Sequence, residues 1–109
     1  MANPYAGEVA LTVDGQTYAM KLTLGVLAEL EHELEAGSLV AVVERFEAGQ
    51  YRTRDVLLLL KAGLRGGGWT GQIGDLAQAD IEGGPIHAAR AAATLLARAF
   101  ALPETASGP

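Results

Sequence analysis

The chain has 109 residues, half of them hydrophobic but only 6% aromatic, and its formal net charge is −5. That suffices for one domain with one core and excludes a disordered chain. The acidic balance argues against non-specific binding to nucleic acid, which needs Lys and Arg to displace phosphate counterions.

Cysteine is absent, so there are no disulfides and no thiolate metal sites, as expected of a cytoplasmic protein. No apolar run approaches the ~20 residues of a membrane span. The opening MANPYAGE lacks the basic-then-apolar order of a signal peptide. Residues 2–6 read as a loose lead-in. From Glu8 to Met20 the pattern is a β-hairpin: Val9, Leu11 and Val13 alternate with Ala10 and Thr12, and Asp14-Gly15 is a two-residue turn signal. The return strand is expected over Gln16 to Leu22. A lone hairpin is marginal in water, so its apolar face must rest on helices or on another chain. An open edge would suit strand addition.

Thr23 is placed as the cap of a first helix over Leu24 to Ala36, with Leu24, Leu27, Leu30 and Leu34 as its apolar stripe and Gly37 as its stop. Its acidic residues, Glu29, Glu31, Glu33 and Glu35, are either a solvated face or a surface for a basic partner. Ser38 caps a second helix over Leu39 to Ala48. Leu39, Val42, Val43 and Phe46 face inward, and Glu44, Arg45 and Glu47 face water.

The run Thr53 to Gly68, TRDVLLLLKAGLRGGG, reads as the central helix. Thr53 is its expected N-cap, Asp55 and the pair Lys61 and Arg65 match the helix dipole, and Gly66-Gly67-Gly68 stops it. Four consecutive leucines, at ~100° per residue, surround the axis, so the helix is central in its domain or meets another chain. A helical wheel groups Val56, Leu57, Leu59, Leu60, Gly63 and Leu64 on one side and Arg54, Lys61 and Arg65 on the other. Leu58 falls beside the cations and is the leucine expected at the surface or at an interface, unless another element of the same domain covers it. Trp69, the only tryptophan, is a lid on the core or a recognition residue. On this reading the partner-binding residues are Leu58, Lys61, Arg65 and Trp69.

Trp69 to Ile81 is weakly patterned, with at most a turn or two of helix at Ile73 to Ala77. Pro85 opens a last helix reaching to about Leu102. Ile86, Ala89, Ala93, Leu96 and Phe100 form its apolar face, with Ala88, Ala92, Leu95 and Ala99 beside it. His87, Arg90, Thr94 and Arg98 form its polar stripe. Pro103 stops it, and 104–109 reads as a disordered tail. The expected fold is α+β, mainly α: one domain over 1–103, with an N-terminal β-hairpin and about four helices in a small bundle.

Nothing in the residues supports catalysis. His32 and His87 lie on polar helix faces, and Glu31-His32-Glu33 fans out about 100° per residue and cannot converge on one metal. Gly66-Gly67-Gly68 ends a helix where a phosphate loop would begin one. No catalytic residue, cofactor, metal or small-molecule substrate is expected.

The opening GEVALTVDGQTYAMKLTLGVLAELE, the motif GLRGGG (Gly63 to Gly68), the motif IEGG (Ile81 to Gly84) and the Ala-rich last helix occur in a fixed order. Together they resemble a family of short tail proteins from gene transfer agents and prophages. Its members begin with a Gly-Glu-Val hairpin followed by Thr-Leu-Gly-Ala-Leu-Ala-Glu-Leu-Glu. The likeness runs from Gly7 to about Leu102. It departs at Trp69 to Asp80, where members carry an acidic helix start and this chain has glycines. The family is described in tail-tube terms and grouped with phage tail assembly chaperones. The resemblance implies a non-enzymatic protein that coats the tape-measure protein and recruits tail-tube subunits. The alternative it leaves is a structural subunit that stays in the tail, a homo-oligomer joined through hairpin edges.

Overall fold

The computed structural model describes residues 8–33 and 39–100. The lead-in at 2–6, Leu34, Glu35, Gly37, the Ser38 cap and the tail at 104–109 lie outside the described residues. Strands β1 (Val9–Val13) and β2 (Gln16–Met20) precede helices α1 (Leu24–Glu33), α2 (Leu39–Glu47), α3 (Thr53–Gly66), α4 (Ile73–Gln78) and α5 (Gly84–Ala99). The α+β, mainly helical reading holds, with α4 as an extra short helix.

The strands are antiparallel, in register from Val9↔Met20 to Val13↔Gln16. Asp14 and Gly15 take φ of 51° and 82°, the positive values that a type I′ turn requires. Leu11, Val13 and Met20 point into the core. The return strand stops at Met20, short of Leu22, because Lys21 gives its N–H to the Gly63 carbonyl of α3 at 2.9 Å.

That bond begins a clamp. A Cβ on Gly66 would sit 1.9 Å from the Lys21 carbonyl oxygen, and one on Gly67 would sit 1.9 Å from that of Ala19. The end of α3 therefore lies directly on the outer edge of β2, which only glycine permits. Of the three glycines only Gly68 is left-handed, at φ +100°. It sits at C′ of a Schellman motif, in which Gly68 N–H meets Arg65 O at 3.1 Å and Trp69 N–H meets Leu64 O at 2.9 Å.

The edge of β1 is covered too. Asp14 N–H donates to Asp80 O at 2.8 Å and Glu82 N–H to Thr12 O at 3.0 Å. Asp80 N–H returns a bond to the Asp14 carboxylate at 2.8 Å, Val13 bridges Ile81, and Arg98 donates to Glu8 O. Both edges are thus partly held within this chain, at the turn end of β1 and at the end of β2, while Ala10 in the middle of β1 is exposed. Gly83, at φ +90°, turns the chain from this strap into α5, where Pro85 sits in the first turn as expected.

Several faces differ from the sequence reading. In α1, Thr23 Oγ accepts from Val26 N–H at 3.2 Å, as expected of a cap. The buried residues are Val26 and Leu30, while Leu24 is 86% exposed. Leu24 lies about 200° around the helix from Val26 and cannot share its face. Thr53 does not cap α3: the N-cap position is Arg52, and the Asp55 carboxylate, three residues on, accepts the Arg52 N–H at 2.9 Å. Arg45 is only partly in water, because it makes a two-pronged contact with Asp55, 3.2 Å from Nε and 2.8 Å from the terminal nitrogen. In α4 the acid is Asp75, which accepts from Gln72 N–H at 2.9 Å. The segment thus has an acidic helix start of its own.

Candidate functional site

Helix α3 is central, packed against α1, α4, α5 and β2. Its polar side is turned partly toward α1, although Arg54 is exposed and Arg65 stays partly in water. Lys61 reaches Glu33 of α1 at 2.8 Å, and Arg65 approaches Glu29 of α1 at 3.5 Å. Because α1 covers that side, the leucine beside the cations is sealed: Leu58 is 3% exposed, not the surface residue expected. Leu59 and Leu60 are buried with it. Trp69 is half-buried against the core, its ring lying where a side chain on Gly71 would have to go. The four residues expected to meet a partner therefore form no common open face: one is internal, two are paired with α1, and Trp69 serves as a lid.

The accessible member of the leucine run is Leu57. It lines an open groove of about 720 Å³ on the opposite flank of α3. One wall is the first half of α3, with Thr53, Val56, Leu57 and Leu60, continued by Phe46 and Tyr51. Those two rings stack at 4.5 Å and 8°, which holds Tyr51 over the entry to α3. The other wall is Leu76, Ala77 and Ala79 at α4, the strap at Asp80 and Ile81, and the first turns of α5 with Ile86, Ala89 and Ala93. The polar side chains along it are Tyr51, Thr53, Asp80 and Arg90.

The groove owes its shape to two local arrangements. The Asp55 carboxylate, 2% exposed, ties α2 to the start of α3 through Arg45 and fixes the first wall. The strap bonded to β1 fixes the second. Between them the apolar residues of α5 divide. Ala88, Ala91, Ala92, Leu95 and Leu96 are buried, whereas Ile86 is 72% and Phe100 44% exposed. The face assigned to the core from sequence is thus largely the outward one. Burying an Ile side chain is worth about 1.5–3 kcal/mol, so Ile86 beside an apolar groove leaves that stabilisation unrealised in the single chain. The signal was present in sequence as a helix apolar over two faces, although only the packing shows which face is open. Chemically the site can hold apolar side chains and orient them with an acid and a base at its rim.

These features define a small, mainly helical α+β protein whose hairpin is tied to its helices and whose apolar groove is open. The chain belongs to the family described as phage tail tube protein, GTA-gp10, whose pattern matches residues 6–102. Neither the curated proteins nor the solved structures compared with the chain contain a match. The short motifs of this chain that carry the resemblance lie mainly in the scaffold. The GLRGGG glycines admit β2, and IEGG forms the strap over β1 and the turn into α5. No described helix is long and apolar enough to cross a membrane.

Proposed function

We propose that this protein is a non-enzymatic tail assembly chaperone of a gene transfer agent or prophage, acting in the cytoplasm on the tape-measure protein and recruiting tail-tube subunits to it. The observation that carries the reading is the open apolar groove between α3 and α5, with Leu57 in one wall and Ile86 at the other. A long helical chain awaiting assembly exposes apolar stripes, and such a groove receives them in the helix-in-groove mode. The test is capture of the tape-measure protein from producing cells. Leu57→Glu is expected to keep the helical circular-dichroism spectrum and lose that capture. Leu58→Glu, which places a charge in the sealed core, is expected to unfold the domain. A folded Leu57→Glu that still captures the tape measure overturns the reading.

A structural tail subunit is the second reading, favoured by the family's own description as a tail tube protein. Mass spectrometry of purified particles separates the two. A chaperone is missing from them, and a tube subunit is present in proportion to the tail.

A further inference from the structure

Of the few polar side chains along the groove, Arg90 stands apart. It follows Ile86 by four residues and precedes Ala93 by three, so at helical spacing it shares their stripe of α5, next to Ala89. All four line the groove, and Arg90 is exposed. Other cations are engaged within the chain. Arg45, Lys61 and Arg65 each meet a carboxylate, and Arg98 donates to the Glu8 carbonyl. Among the described residues no carboxylate meets Arg90. We infer that the groove selects a partner helix whose apolar stripe is bordered by carboxylates, one of which pairs with Arg90.

The cause is desolvation. A helix laid against Ile86, Ala89 and Ala93 covers the stem of Arg90 and takes water from its guanidinium. An ion that loses water without a counter-ion costs free energy, and a carboxylate brought by the partner offsets that cost. A stripe bordered by lysines meets like charge at the same place, which discriminates against it. Asp80 does not cancel Arg90. It belongs to the strap, where its N–H and carbonyl are tied to Asp14. Arg90 lies about 9 Å along α5 from the start of that helix. The selection runs against the field of the whole chain. A formal net charge of −5 draws basic peptides at long range, so a preference for acid reports the groove itself. The inference rests on the groove being the docking site, as in the proposed function.

The test uses two labelled helical peptides with the same leucine stripe, one bordered by glutamates and the other by lysines. Fluorescence anisotropy with the full chain reads their affinities. The glutamate peptide is expected to bind about tenfold tighter. Arg90→Gln, which changes an exposed side chain and should keep the circular-dichroism spectrum, is expected to remove that preference. Asp80→Asn is expected to widen it, by removing the one acid among the lining residues. Leu57→Gln, which adds no charge, is expected to weaken both peptides alike. Equal affinities for the two peptides, or a preference that survives Arg90→Gln, overturn the inference. So does a preference for lysine that Asp80→Asn removes. In each of these cases the groove remains the docking site as long as Leu57→Gln weakens binding. Binding that Leu57→Gln leaves unchanged, or no binding of either peptide, overturns the groove as the docking site and this inference with it.

Discussion

The two ends of α3 solve opposite problems. At the C-terminal end, Gly63, Gly66 and Gly67 carry no side chain, and the backbone closes directly on β2. At the N-terminal end, Val56, Leu57 and Leu60 carry large side chains and leave a groove between α3 and α5. One end buries backbone against backbone and seals a sheet edge. The other keeps apolar surface accessible. A single helix thus separates the part that makes the domain fold from the part that is left open, and the GLRGGG motif belongs to the first.

The sharpest way to break this contrast is at the glycines. Gly66→Ala and Gly67→Ala each drive a methyl group into a backbone carbonyl, which cannot swing aside as a flexible side chain would. The expected cost is about 3 kcal/mol or more, at or above the usual range for overpacking. Gly25 of α1 is the control, because a Cβ there meets nothing within 4 Å. Gly25→Ala is expected to stabilise by about 0.5–1 kcal/mol through helix propensity. Urea unfolding of the three variants checks both signs, and equal behaviour at Gly25 and Gly67 would remove the basis for a clamp.

Much of the closed end was legible from residues alone. Asp14-Gly15 announced its turn, Thr23 its cap and Pro85 its helix start, because each acts through local backbone chemistry. The four leucines rightly placed α3 at the centre. The open end was misread for a physical reason. A helical wheel treats charge as a sign of solvent, but Lys61 and Arg65 face Glu33 and Glu29 across α1. These are long-range pairings that no local pattern contains. Leu58 was therefore turned outward when it belongs inside, and Leu57 inward when it lines the groove. Arg45 was misplaced in the same way, since its partner Asp55 lies in another helix.

The Asp55 site should give the next largest effect. Its carboxylate takes two bonds from Arg45 and one from the Arg52 N–H. Asp55→Ala leaves Arg45 and a helix-start donor unpaired at a buried position. Breaking a buried pair typically costs about 3–5 kcal/mol, and because Arg45 is partly exposed about 2–3 kcal/mol is expected here. The groove is the more telling readout. If α2 is tied to α3 through this carboxylate, the variant should also loosen the stacked Phe46–Tyr51 wall and raise the mobility of Tyr51 in NMR. Loss of stability with an unmoved Tyr51 would show that the tie supports the fold without shaping the groove.

The smallest effect is expected where charge is most conspicuous. Arg65 and Glu29 meet at 3.5 Å with both side chains substantially exposed, and such pairs contribute about 0–1 kcal/mol. Lys61 is mostly buried and its contact with Glu33 shorter, at 2.8 Å, so it should sit toward the upper part of that range. Double-mutant cycles, Arg65→Gln with Glu29→Gln and Lys61→Gln with Glu33→Gln, isolate each coupling. Both are expected to weaken in high salt. If these cations serve to satisfy α1, partner capture should survive Arg65→Gln unchanged. If capture falls while stability does not, the cations act on a partner after all, and the division between a closed face toward α1 and an open groove toward α5 would have to be redrawn.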